Sequence, residues 1–262
     1  MSKQTQERDR NRISRDEDLA DRVVLVTGAA GGIGRAVVQG ALRRGARAVV
    51  QDLSPSVTEL EAEHPGRVVS VVGDAADEAV AVKSVAAARS QFGRLDVLVS
   101  NAGTTLNKPL TATSAEEWDR VMRVNVRSAF LLTREAFKIM EQDGGGNIVY
   151  VGSFTSTVAL AEGSAYTASK GALSQLMKVA AVEGARLGIR ANAIAPGVVD
   201  TGFLNHIRPD GQEYLRSFGA AHPLGRIAQP SEIADAVLYL AGDESSFVTG
   251  ALLAVDGGYT AL

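Results

Sequence analysis

Val23-Val24-Leu25-Val26-Thr27-Gly28-Ala29-Ala30-Gly31-Gly32-Ile33-Gly34 is the stretch whose reading decides the fold. A short, continuously apolar run is what a strand covered on both sheet faces looks like. It breaks into a glycine-rich turn and then into a segment of helical period. A tight turn needs positive φ, and close approach to a pyrophosphate leaves no room for side chains. The helix N-terminus that follows offers free N–H groups and the positive end of its dipole to an anion. A tight strand–helix turn alone would also explain the glycines, but their place after the first strand favours a nucleotide. Gly28, Gly32, Ile33 and Gly34 are the expected contacts.

Outward from this stretch, apolar β-branched runs alternate with longer helical segments. Further strands are expected at 48–50, 68–72, 95–99, 148–151, 190–194 and 251–255. Helices are expected at 33–44, 77–92, 114–140, 166–187 and 231–240. Ser114 reads as an N-cap with Glu117 as its capping-box partner, and Gly93 as a helix stop. Regular alternation of this kind implies a single α/β domain of the Rossmann type. Its parallel sheet, of about seven strands, is doubly wound with helices on both faces. A ligand should then sit at the switch point after the first and fourth strands. Residues 197–226 interrupt the rhythm and are too long for a plain connection, which suggests a substrate lid.

The second strand ends at Asp52, eighteen residues after Gly34. A carboxylate there can accept both hydrogen bonds of an adenosine ribose diol, and it repels a 2′-phosphate. No Arg or Lys lies in 29–33, so NAD is expected rather than NADP. Asp74, ending the third strand, is a candidate for the adenine edge. Asn101-Ala102-Gly103 follows the fourth strand and borders the same crevice. Taken singly, each is as well explained by turn chemistry.

Tyr166 and Lys170 stand one helical turn apart in Ala165-Tyr166-Thr167-Ala168-Ser169-Lys170, which points to proton chemistry at a phenol. A free phenol titrates near pH ~10, so using it as a base near neutrality takes about 4 kcal/mol. An ammonium about 5 Å away supplies on the order of 3 kcal/mol at an effective dielectric of ~20. An oxidised nicotinamide pushes the same way. In isolation Tyr166 could equally be a half-buried core residue and Lys170 a solvated helix charge.

With the glycine turn, Asn101-Ala102-Gly103, Tyr166-x-x-x-Lys170 and Pro196-Gly197 in this order, the chain resembles the short-chain dehydrogenase/reductase family, of the classical type. The resemblance covers residues 21–262 and assigns roles to matching positions. Ser153, thirteen residues before Tyr166, would hydrogen-bond the substrate oxygen. Tyr166 would be the general acid or base, and Lys170 would bind the nicotinamide ribose and lower the phenol's pKa. Asn125, in Val124-Asn125-Val126, would hold a water in the proton relay. Thr201, after Pro196-Gly197-Val198-Val199-Asp200, would bond the nicotinamide carboxamide. One departure is Val151-Gly152-Ser153-Phe154, where two adjacent serines are usual; Gly152 is expected to loosen the loop. The family's usual assembly implies a homotetramer.

Substrate contacts are expected from Thr104, Ser153, Phe154, Thr155, Phe203 and His206, with Thr105, Val198, Leu204 and Phe218 nearby. Lys108 and Arg208 are candidate clamps for an anionic group. The expected activity is an NAD-dependent interconversion of a secondary alcohol and a ketone. Two rivals stay open: an NADPH-dependent 3-oxoacyl thioester reductase and a non-catalytic dinucleotide-sensing protein.

Composition narrows the field. The 262 residues are 45% hydrophobic and carry a net charge of −3, which leaves no electrostatic footprint for nucleic acid or an anionic membrane. There is no cysteine, so disulfides, thiolate catalysis and Cys-based zinc sites are out, in keeping with a cytoplasmic location. Three scattered histidines have no metal-ligand spacing, so no metal is expected. Residues 1–20 are almost all polar and read as a disordered tail without a secretory h-region.

Overall fold

The computed structural model of the protein describes residues 18–205 and 208–261. Seven strands form one sheet in the order β3-β2-β1-β4-β5-β6-β7, with every neighbouring pair parallel. They are β1 (Val23–Thr27), β2 (Arg47–Asp52), β3 (Val68–Val72), β4 (Val97–Ser100), β5 (Gly146–Val151), β6 (Ile189–Pro196) and β7 (Leu252–Val255). The helices are α1 (Gly32–Arg43), α2 (Thr58–Glu63), α3 (Glu78–Phe92), α4 (Ala115–Met122), α5 (Ser128–Gln142), α6 (Ser164–Gly184), α7 (Gly211–Arg216) and α8 (Pro230–Ala241). None is long and apolar enough to cross a membrane, among the described residues.

All five residues of β1 are buried because alternate side chains enter opposite cores. Val24 and Val26 pack with Val37, Val38 and Ala41 of α1 and Ile233, Val237 and Leu238 of α8. Val23 and Leu25 pack on the other face with Val85 of α3, Leu132 of α5 and Leu173 and Met177 of α6. Each such side chain contributes about 1.5–3 kcal/mol by leaving water. Helices α1 and α8 approach closely: a Cβ on Gly40 would lie 2.6 Å from Leu238 Cδ1.

Most local signals act as expected. Ser114 and Glu117 form the reciprocal capping box, and Gly93 ends α3 in the left-handed region at φ 82°. Three features differ. The helix expected over 114–140 is two helices joined by a π-helical turn, Arg123–Arg127. Helix α2 was not expected, since of its six residues only Leu60 is buried and no period is visible. Inside the expected lid, α7 forms a single short helix for the same reason, with only Gly211 buried.

Residues 1–17 of the expected tail, and His206, lie outside the described residues. Its last three residues are part of the fold. Leu19 is buried, its amide donates to the Arg44 carbonyl at 3.1 Å, and Asp18 pairs with Arg44 at 3.3 Å.

The chain builds β1, β2 and β3 outward, then returns to place β4 against the other side of β1. The connections leaving β1 and β4 therefore diverge, and a crevice opens at the C-terminal ends of these strands.

Candidate active site

The glycine turn is stitched to both neighbouring strands. From the β4 side, Asn101 Nδ2 donates to the carbonyls of Thr27 (2.8 Å) and Gly28 (3.1 Å), and Thr27 Oγ1 accepts from the amides of Asn101 and Ala102. From the β2 side, the Ala30 amide donates to Asp52 Oδ2 at 2.9 Å, and the Ser54 amide to Oδ1 at 2.8 Å. The carboxylate of Asp52 is thus held beside the turn with lone pairs to spare.

The glycines divide by task. Gly28 has φ +64°, and a Cβ there would lie 2.9 Å from Asn101 Nδ2. On Gly34 it would lie 2.1 Å from the Gly28 carbonyl oxygen. These two serve the packing of the turn, in line with the tight backbone expected there. Gly31, absent from the expected contacts, is the one facing open space: a Cβ there meets nothing within 4 Å. It is also the N-cap of α1 and offers no side chain to the first-turn amides. Gly32, at φ +53°, is approached by Thr201, whose Cγ2 would be 3.3 Å from its Cβ. The start of the lid therefore meets the glycine turn across the crevice, while Ile33 packs into the core behind it.

Deeper in the crevice, Ser153 ends the β5 connection and Tyr166 and Lys170 lie on α6. Ser153 is buried and accepts the Thr155 amide on Oγ at 3.1 Å, and its side chain draws the pKa of the half-buried Tyr166 phenol downward. Lys170 Nζ donates to the Val151 carbonyl at 2.9 Å and lies 5.5 Å from the Tyr166 ring centroid. Gly103 closes the group, because a Cβ there would sit 3.4 Å from Asn125 Oδ1 and 3.7 Å from Lys170 Nζ. Asn125, Ser153, Tyr166 and Lys170 are thus brought together although three different elements carry them.

Asn125 is held by the π turn. Its Oδ1 accepts the Thr104 amide at 2.7 Å, and its Nδ2 donates to the Thr104 carbonyl (2.9 Å) and Ser169 Oγ (2.8 Å). Ser169 in turn donates to the Tyr166 carbonyl at 2.6 Å. Sequence reasoning missed Ser169, although it lies between the two residues singled out. The extra backbone turn also explains how a buried asparagine is tolerated inside a helical run.

Burial pushes the Tyr166 phenol above its ordinary value, against the pull of the Ser153 hydrogen bond. Burial also lowers Lys170 from 10.5 to about 8, so the ammonium still predominates at neutral pH but is lost just above it. The sign for stability follows. Between about pH 8 and 10 the folded chain has released this proton while the unfolded chain retains it, so stability rises with pH. Relative to Lys170→Met, the cofactor-free wild type should gain up to about 3 kcal/mol across that window. Thermal denaturation of both proteins from pH 7.5 to 10.5 checks this; parallel curves would refute it.

The remaining expected residues are placed as follows. Asp74 gives Oδ1 to the Ala76 amide (2.8 Å) and Oδ2 to Arg123 (2.5 Å). Burial raises its pKa, but these partners outweigh it and hold the carboxyl below the ordinary range. Phe203 is 6.3 Å from Tyr166 between ring centroids, so it faces the site. Phe154 is buried against Tyr259, with ring centroids 4.6 Å apart. Thr155 is buried beside Ser153, and its hydroxyl has no partner among the described residues. Pro196 ends β6, and Gly197 is required by close approach, since its Cβ would lie 2.8 Å from His222 Nε2. Gly152 does not loosen its loop: its amide donates to the Ile194 carbonyl at 2.9 Å, and a Cβ would lie 2.8 Å from that oxygen.

His222 ties the two ends of the lid together. The Val198 amide donates to Nε2 at 3.1 Å, which leaves Nδ1 to donate to the Phe218 carbonyl at 2.9 Å. No local signal marks a contact across that sequence distance. The two candidate clamps are already engaged, Lys108 by Glu117 (2.7 Å) and Arg208 by Asp210 (2.7 Å).

Residues 28–260 match the family model described as enoyl-(acyl carrier protein) reductase. The 2-(R)-hydroxypropyl-CoM dehydrogenase of Xanthobacter autotrophicus is 42% identical over 249 residues, covering 92% of this chain and 99% of that protein. The chain is a classical short-chain dehydrogenase/reductase. A cis-4-hydroxycyclohexanecarboxylate dehydrogenase from Sinomonas cyclohexanicum is 39% identical, covering 94% of this chain and 99% of that protein. The crystal structure of levodione reductase superposes with a TM-score of 0.87 at 33% identity, over 92% of this chain and 98% of the other.

As a member of this family the protein is an oxidoreductase with a nicotinamide dinucleotide cofactor. The residues present fit such a group. Gly31 leaves a cradle that a side chain would fill, α1 opens without a side-chain cap, and buried Lys170 has donors beyond the one given to Val151.

Proposed function

We propose that this short-chain dehydrogenase/reductase is an NAD-dependent enzyme interconverting a secondary alcohol and a ketone, with Tyr166 as the acid/base. The observation that carries the reading is Lys170 Nζ lying 5.5 Å from the Tyr166 ring centroid, with the Ser153 side chain acting on the same phenol. The dinucleotide, when bound, supplies the hydride acceptor or donor. Asp52 would hold the adenosine ribose, Lys170 the nicotinamide ribose, and the amides beyond Gly31 the pyrophosphate. Ser153 would hold the substrate oxygen, and Tyr166 would take its proton in oxidation or return it in reduction. Asn125 would orient a water that carries this proton onward.

The named relatives are alcohol-oxidising by their names, which supports a small alcohol as substrate. The engaged state of Lys108 and Arg208 favours a neutral one. Exposed Phe130, Val179 and Val182 on α5 and α6 favour assembly as a homotetramer. A cytoplasmic location suits a chain without cysteine.

The test is reduction of NAD⁺ and NADP⁺ across polyols, sugars, cyclic alcohols and hydroxy esters, followed by absorbance. Turnover of a secondary alcohol with NAD⁺ is expected. Preference for NADPH with a 3-oxoacyl thioester, or dinucleotide binding without turnover of any substrate, would replace this reading.

A further inference from the structure

Arg35 lies in the first turn of α1, and its amide donates to the Gly31 carbonyl at 3.2 Å. Its side chain therefore begins one turn beyond the open glycine. Asp52 reaches the same turn from β2, through the Ala30 amide. A ribose held by Asp52 would have its 2′ position in this corner, and an arginine there is the natural receptor for a 2′-phosphate.

Arg35 is already occupied. Its Nη2 is 2.9 Å from Glu63 Oε1 and its Nη1 4.0 Å from Glu59 Oε2. Both acids belong to α2, the short helix after Asp52, and their i, i+4 spacing puts them on one face. Glu61, between them, turns the other way and accepts from the Ser70 amide at 2.9 Å. The acids facing α1 thus engage the guanidinium and add two negative charges beside that of Asp52.

Resting on the NAD reading above, we propose that Glu59 and Glu63 are cofactor-specificity residues, which hold Arg35 and so deny a 2′-phosphate its cation. They act through Arg35 and by like-charge repulsion, and make no contact with a ribose diol themselves. Half-exposed pairs of this kind add little to stability, so their removal should leave the fold intact.

The test is calorimetric binding of AMP and of adenosine 2′,5′-bisphosphate, with NADH and NADPH titrated alongside by fluorescence. Three proteins are compared: wild type, Glu59→Gln/Glu63→Gln, and that pair with Arg35→Gln. The double variant should bind the bisphosphate roughly tenfold more tightly while AMP affinity moves much less. Adding Arg35→Gln should remove the gain. An unchanged bisphosphate affinity in the double variant, or a gain that survives loss of Arg35, overturns the proposal. A wild type that already binds NADPH more tightly than NADH overturns instead the NAD reading beneath it.

Discussion

Tyr166→Phe should lower kcat by about 10² to 10⁴-fold while NADH binding stays within about twofold of wild type. The substitution removes one atom. The phenyl ring keeps its place against Phe203, 6.3 Å away, and below Lys170, and Lys170 keeps its bond to the Val151 carbonyl. What is lost is the hydroxyl that lies under the influence of Ser153 and that would exchange a proton with the substrate oxygen. Ser153 remains to hold that oxygen, so binding should suffer less than chemistry. Steady-state kinetics with fluorescence titration of NADH separates the two effects. Turnover within threefold of wild type would remove Tyr166 from the acid/base role and, with it, the proposed mechanism.

Gly34→Ala should be the most damaging single-methyl change in the nucleotide turn. Its Cβ would lie 2.1 Å from the Gly28 carbonyl oxygen and 2.7 Å from Asn101 Nδ2, the group tying the turn to β4. The carbonyl can yield only by moving backbone, and Asn101 only by giving up its bonds to the Thr27 and Gly28 carbonyls. Helix propensity alone favours alanine by about 0.8–1.0 kcal/mol, so a fall in stability would report the collision itself. A net loss of about 2 kcal/mol is expected, or roughly 4–8 °C in Tm, together with loss of dinucleotide binding. Gly31→Ala is the contrast. It meets no atom within 4 Å and has an extended backbone at φ −158°, so stability should change by less than about 1 kcal/mol. Its methyl group would still occupy the cradle, and dinucleotide affinity should fall. A Gly31→Ala protein that binds NADH as wild type does would move the pyrophosphate away from this turn.

How much was legible varies with the range of the interaction. A strand such as Val23–Thr27 stands out because burial on both faces demands a nearly unbroken apolar run, a property of five consecutive residues. Ser114 with Glu117 and Gly93 were equally plain, since a cap satisfies its own helix end. Helix α2 was not, because its one buried residue, Leu60, sets no period and its acids matter only through Arg35 on another helix. The candidate site shows the same division. Tyr166 and Lys170 announce themselves by helical spacing, but Gly152 looked like slack until Ile194 was found against it.

The order of strands, helices and motifs, and hence the doubly wound sheet and its crevice, follows from the chain alone. Those signals are local, and the parallel connections leave few ways to join them. Only the tertiary structure decided which glycine carries which task, how Asn125 is held by a π turn, and that His222 fastens the lid. It also placed Tyr166 and Lys170 where burial acts on both of their charges. Each of these depends on what distant segments place within a few ångströms, and on the water they exclude. Burial and close contact are properties of the packed molecule, so no local pattern encodes them.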